Sequence, residues 1–191
     1  MKVSREQVAL NRERIVETAA RLFREKGYDG IGVSDLMKSA GLTHGGFYGH
    51  FDSKEDLLAE ATAHALKISV ERWENYLAKG PDTAFNKICT SYLSEDHRDH
   101  PDLGCSVTAL SADISRLGDK ARHALTEGAS GQMAVLEKLM AGADDAEKRT
   151  QALAAYAAMV GGVMLARAVD DGELSLEILK AVQESLAPRG A

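Results

Sequence analysis

Between Thr43 and Lys54 the chain sets the hydrogen-bonding side chains of Thr43, His44, Tyr48, His50 and Lys54, with others, among three glycines. Hydroxyl, imidazole, phenol and ammonium groups all suit phosphate oxygens or base edges, so this stretch is a candidate nucleic-acid reader. A second chemistry-bearing stretch runs from His97 to Cys105. His97 and His100 stand among Glu95, Asp96, Asp99 and Asp102, with Cys105 just downstream, a set able in principle to ligate zinc. No second ligand pair stands at metal spacing elsewhere, so no metal is expected. Cys105 itself follows Pro101-Asp102-Leu103-Gly104 at the predicted start of a helix. Amides there, with His97, Arg98 and His100 nearby, favour a thiolate, and Asp99 and Asp102 oppose it. Cys89 lies on a stripe with Phe85, Ile88 and Tyr92 and reads as a buried, inert thiol.

These groups need helices to hold them. Val33, Leu36, Met37 and Ala40 recur at i, i+3, i+4 and i+7, one apolar face of a short helix that Gly41 ends. Thr43 is placed to cap a second helix, with Phe47 and Phe51 turned inward and His44, Gly45, Gly46, Tyr48 and His50 outward. Two short helices joined by a glycine turn form the helix-turn-helix layout. Ser53 with Asp56 resembles a capping box opening a third helix. That helix runs from Lys54 to about Leu77, stopped by Gly80-Pro81. Upstream, Ser4 and Gln7 suggest a cap, and Ile15, Ala19, Leu22 and Phe23 form the stripe of a first helix ending at Gly27.

The run Gly-x-x-x-x-x-Leu-Met-x-x-Ala-Gly-Leu-Thr-x-Gly-x-Phe-Tyr-x-His-Phe-x-Ser-Lys-Glu, from Gly30 to Glu55, resembles the TetR family of transcriptional regulators. The resemblance covers roughly Asn11 to Leu66. It implies an all-α homodimer with an N-terminal three-helix helix-turn-helix head on a C-terminal helical body for ligand binding and dimerisation. The corresponding domains are residues 9–69 and 70–191. By position, Thr43, Tyr48, His50 and Lys54 match residues that hold phosphates, and Ser34, His44 and Gly45 match positions near base edges, with Gly46 beside them. Arg5 and Arg12 are the flanking arginines best placed for phosphate. Met37 stands where the family usually has alanine, and Gly46 where a small polar residue or alanine is common. Successive glycines predict a loosely ordered recognition helix. The segment HRDHPDLGCSVTAL also resembles a loop and helix of one branch of the family, in which a cysteine follows glycine, as it does in some relatives that sense reactive electrophiles.

Over 191 residues the hydrophobic share is 45% and the net charge −6. Residues 1–50 carry +2 and the remainder −8, a positive head on a negative body. The charged N-terminus does not read as a signal peptide, and no apolar run reads as a membrane span, which places the protein in the cytoplasm. Downstream, Gly128-Ala129-Ser130-Gly131 predicts a bend in a helix running from Gly118 to about Met140. Ala146–Val169 is apolar on nearly every face. With the final helix, Ser175–Leu186, it offers the dimer surface, for which Tyr156, Gly161, Gly162, Leu165, Leu179 and Val182 are the candidates. Trp73, Tyr92, Tyr156 and Cys105 are the ligand or sensor candidates.

The functional expectation is a sequence-specific DNA-binding regulator, a ligand-responsive repressor that leaves a near-palindromic operator when an unidentified small molecule binds the body. The alternative is a thiol-based repressor signalling through Cys105. A helical enzyme is the remote alternative: no Ser/His/Asp constellation, phosphate-cradling loop or strand is legible, and no cofactor is implied.

Overall fold

The Ser4 hydroxyl accepts the Gln7 amide at 3.1 Å and opens α1 (Arg5–Lys26), which buries Ile15, Ala19, Leu22 and Phe23 along one face. The structure, a computed structural model, describes residues 4–187. Gly27 closes α1 at φ 76°, a left-handed conformation open to glycine without a Cβ clash. After α2 (Val33–Ser39), Gly41 at φ 71° makes the corresponding turn. Next comes a short 3₁₀ helix, His44–Gly49, and then α3 (Lys54–Lys79). The Ser53 hydroxyl accepts the Asp56 amide at 3.0 Å, as the capping pattern predicts.

The body continues through α4 (Pro81–Tyr92), α5 (Glu95–Asp99), α6 (Ser106–Ile114), α7 (Asp119–Glu137), α8 (Asp145–Ala168) and α9 (Gly172–Leu186). Every element among the described residues is helical. Two apolar clusters meet along α3. Leu57, Leu58 and Ala61 belong to the head cluster, which also recruits Leu110, Ile114 and Ala121 from α6 and α7. Leu66 and Trp73 belong to the body cluster. The 69/70 boundary read from sequence therefore lies inside one continuous helix.

Three local expectations need correction. The second helix of the helix-turn-helix is 3₁₀ rather than α, and Thr43 precedes it in extended conformation without a side-chain capping bond. Gly128–Gly131 does not interrupt α7, which is helical from Asp119 to Glu137. Those glycines serve approach instead: a Cβ on Gly128 would stand 2.4 Å from Leu66 Cδ1, and one on Gly131 3.1 Å from Val70 Cγ2, so α7 lies hard against α3. Finally, α8 does meet the length and composition of a membrane span. It packs as a core helix, with Ala152, Met159, Val163 and Ala166 buried in the body cluster.

Candidate nucleic-acid interface and buried thiol

Phe47 is fully buried and Phe51 nearly so, their ring centroids 5.7 Å apart, and together they clamp the 3₁₀ helix onto α1 and α2. The same clamp turns Thr43, His44, Gly45 and Tyr48 to the surface, Tyr48 being 67% exposed. The His44 and Tyr48 rings meet edge to face at 6.3 Å. Ser34 is exposed on α2, while Gly46, His50 and Lys54 are half-buried. His50 Nδ1 is buried without a hydrogen-bond partner. Lys54 lies with Nζ 4.2 Å from the Tyr28 ring centroid, and burial lowers its pKa against the attraction of Asp29. Met37 and Gly46, the two departures from the family pattern, face each other. A Cβ on Gly46 would touch Met37 Cε at 3.6 Å, so the longer side chain fills room that the glycine leaves.

Of the flanking arginines, Arg12 also makes contacts within the protein. Its guanidinium pairs with Glu60 at 2.5 Å and lies 4.7 Å from the Phe51 ring centroid, which joins α1 to α3. Arg5 is exposed.

The four ligand or sensor candidates, scattered through the sequence, converge inside the body. Trp73 meets Tyr92 at 6.0 Å and Tyr156 at 6.3 Å between ring centroids, both edge to face. Cys105 forms the N-cap of α6 with its thiol 3.6 Å from Gln132 Oε1, to which the Tyr156 hydroxyl also donates at 2.7 Å. Gln132 Nε2 in turn donates to the Ser69 hydroxyl at 2.9 Å. Gln132, fully buried, went unmarked in the sequence because it sits on an unremarkable amphipathic helix. Burial drives the Tyr92 and Tyr156 phenols well above their ordinary range.

His97 holds the thiol's backbone. Its Nε2 accepts the Cys105 amide at 2.9 Å and its Nδ1 donates to the Tyr92 carbonyl at 2.6 Å, an arrangement for neutral imidazole. Burial, the largest cause, lowers the His97 pKa to about 4, so it brings no positive charge to the cysteine at neutral pH, contrary to the sequence reading. Arg98 is turned to Asp99 and His100 to Asp96. The cations that do reach Cys105 come from afar. Burial lowers the pKa of Arg24 and of Arg167, and in each case attraction to the Cys105 sulfur opposes the shift. Arg24 Nε donates to the Asp102 carbonyl at 3.0 Å and Arg167 Nε to the Arg98 carbonyl at 2.9 Å, so both arginines brace the loop before α6. Cys89 is buried on α4 with its thiol pushed to about 11, the inert sulfur the sequence predicts. No group of three or more metal-ligating side chains stands together among the described residues.

On the outer side of α8 and α9, Leu165 is 58% exposed and Gly161 meets nothing, while Leu153, Met164, Leu174 and Leu176 are also open to solvent. Tyr156, Gly162 and Leu179 do not belong to that face. They are buried in the protomer's own core because α8 carries apolar residues all round and periodicity cannot say which side a partner takes. Val182 is half-buried beside Gly162.

A family profile described as bacterial regulatory proteins, tetR family, matches residues 15–61. The repressor NemR of Escherichia coli strain K12 is 28% identical over 132 residues, spanning 68% of this chain and 66% of NemR. The regulator YerO of Bacillus subtilis strain 168 is 35% identical over 95 residues, 48% of this chain and 33% of YerO. This chain thus spans under two thirds of the length of each of these relatives. Among solved structures, E. coli NemR in what is described as its reduced form superposes with a TM-score of 0.79 at 25% identity, covering 93% of this chain and 95% of that one. A Cytophaga hutchinsonii regulator at 19% identity superposes at 0.77 over 98% and 97% and shares the fold.

Proposed function

We propose that this chain, which resembles the TetR family of bacterial regulatory proteins, is a sequence-specific DNA-binding repressor. It acts in the cytoplasm as a homodimer on a near-palindromic operator and leaves it when a small molecule binds the body. The observation that supports this best is the division of the 3₁₀ segment. Phe47 and Phe51 are locked inside, and His44, Gly45 and Tyr48 stand out on a surface fit for a major groove. Thr43, Tyr48, His50 and Lys54 hold phosphates, while Ser34, His44, Gly45 and Gly46 lie against base edges. The exposed apolar stripe of Leu165, Met164 and Leu174 receives the second copy.

The signal path follows the shared packing. Since α6 and α7 supply Leu110, Ile114 and Ala121 to the head cluster, a shift of either helix alters the pose of α1 and α3 and hence the spacing of the two heads. Binding-site selection from random duplexes, followed by salt titration, tests the reading. Lys54→Ala should weaken all sequences alike and reduce the salt slope by about 0.9, whereas His44→Ala should relax sequence preference. Failure to enrich any sequence would overturn the assignment.

A second reading places the signal on Cys105, and the observation that favours it is the hydrogen-bond chain that joins its thiol through Gln132 to Tyr156 and Ser69. A soft electrophile would form an S–C bond to the thiolate, with the thiol proton lost to solvent. Bulk added to this buried sulfur, 3.6 Å from Gln132 Oε1, would press on α6 and α7. Operator release by N-ethylmaleimide in the wild type but not in Cys105→Ser is the expected result. Equal release from both would remove this reading and leave the non-covalent one.

A further inference from the structure

Where the head meets the body, a cleft of about 300 Å³ opens between α1, α3 and the loop before α6. Its size falls at the lower end of small-molecule sites. Arg24 lines it, and although Nε and Nη2 are held by the Asp102 carbonyl, Nη1 is buried with no acceptor. Arg72 lines it from α3, exposed and without an ion pair among the described residues. Ser69, only 7% exposed, forms part of the wall, and its hydroxyl accepts from Gln132 while donating to no protein group among the described residues. The flanks are apolar: Ile68 is 53% exposed and Leu103 66%, two of the larger exposed hydrophobic side chains in the protein. Glu17 stands at the rim on α1 and pairs with neither arginine.

Three donors with spare capacity, two of them cationic, beside two uncovered aliphatic side chains define a ligand with an anionic head and a short hydrocarbon body. We propose that this cleft binds a small aliphatic monocarboxylate, whose carboxylate takes Arg24, Arg72 and Ser69 and whose chain covers Ile68 and Leu103. Inorganic phosphate would satisfy the donors and leave the apolar flanks bare, so the walls select a carboxylate with a tail. Charge-assisted bonds to a guanidinium carry the affinity, and the aliphatic contacts set the chain-length preference.

The position gives the ligand something to act on. Arg24 belongs to α1 and Asp102 to the loop that leads into Cys105, so a carboxylate held by the same guanidinium bears on the tie between head and body. Ser69 also begins the hydrogen-bond chain to Gln132, Tyr156 and the Cys105 thiol. As an effector site, the cleft rests on the DNA-binding reading given above; as a binding site it does not.

Isothermal titration of the full chain with hexanoate, hexanamide and inorganic phosphate separates the contributions. Hexanoate should bind saturably, with hexanamide and phosphate much weaker. Arg72→Gln, a change at an exposed position, should weaken hexanoate by about tenfold or more without altering thermal unfolding. Leu103→Ser should weaken hexanoate and leave phosphate unchanged. No saturable binding of hexanoate, equal binding of hexanamide, or full affinity in Arg72→Gln would each overturn the site. Saturable hexanoate binding that leaves operator affinity untouched would overturn its role as effector. Hexanoate binding by a protein that selects no DNA sequence would keep the site and sink the repressor reading instead.

Discussion

Asp113 Oδ2 on α6 accepts the backbone amide of Tyr28, 2.8 Å away, just past the glycine that ends α1. The carboxylate satisfies a head amide with a body side chain, so the two halves share a bond as well as a core. A Cβ on Gly27 would come within 3.1 Å of the same oxygen, which shows how closely the latch fits. Asp113→Ala should cost about 1–3 kcal/mol by leaving a part-buried amide unpaired. Urea unfolding reads the loss, and hydrogen exchange should show it concentrated at Tyr28. A variant of wild-type stability with Tyr28 still protected would mean the latch contributes nothing.

Gly46→Ala should hold or tighten DNA binding. The added methyl group meets Met37 Cε at 3.6 Å and Thr43 Oγ1 at 3.8 Å, both ordinary contact distances, and the backbone there is not left-handed. Removing glycine's freedom in the unfolded chain stabilises by about 0.4–1 kcal/mol. Thermal unfolding and operator titration check the two halves. Destabilisation would show that Met37 has no room to give.

The protein should lose stability as acid is added across the range from pH 6.5 to 4. His97 is held neutral in the fold with its pKa lowered to about 4 from an ordinary 6.5, chiefly by burial. In that window the unfolded chain binds the extra proton and the folded chain does not, so stability rises with pH and is complete above about 6.5. The shift corresponds to about 3 kcal/mol at most. His97→Gln keeps an acceptor for the Cys105 amide and should flatten the slope in that window. A slope unchanged by the substitution would assign the acid sensitivity to other groups.

Substitutions on the two sides of α8 should separate assembly from folding. Leu165→Glu places charge on an exposed position and should give monomers of near-normal protomer stability by light scattering and urea unfolding. Gly162→Leu drives atoms toward Val182 Cγ2 and Leu93 Cδ2, already 3.1 and 3.3 Å from a Cβ there, and should destabilise the protomer by about 1–3 kcal/mol. An intact dimer with Leu165→Glu would move the interface elsewhere.

What was legible in the sequence is what depends on neighbours along the chain. Ser4 and Ser53 cap within three residues, Gly27 and Gly41 turn where the apolar stripes stop, and Phe47 and Phe51 share one face by spacing alone. Cys105 was placed correctly at a helix start, but its surroundings were misjudged. The cations that reach it, Arg24 and Arg167, lie far away in sequence, while the adjacent His97 is neutral. Gly128 and Gly131 illustrate the same limit. Glycine within a helical pattern signals either a bend or a close neighbour, and only the packing of Leu66 and Val70 decides.

The seat of Leu66 on Gly128 also has a mechanical meaning. Leu66 sits against α7 where one apolar cluster along α3 gives way to the other, and a rigid rocking of α3 would take that point as its pivot. Lys54 lies twelve residues to one side, about 18 Å, and Trp73 seven to the other, about 10 Å. The arms are unequal, so in such a rocking a sideways displacement of Trp73 would be returned at Lys54 in the opposite direction and enlarged by a factor of about 1.7. Such a helix would gear small rearrangements around the aromatic cluster up to larger ones at the Lys54 end.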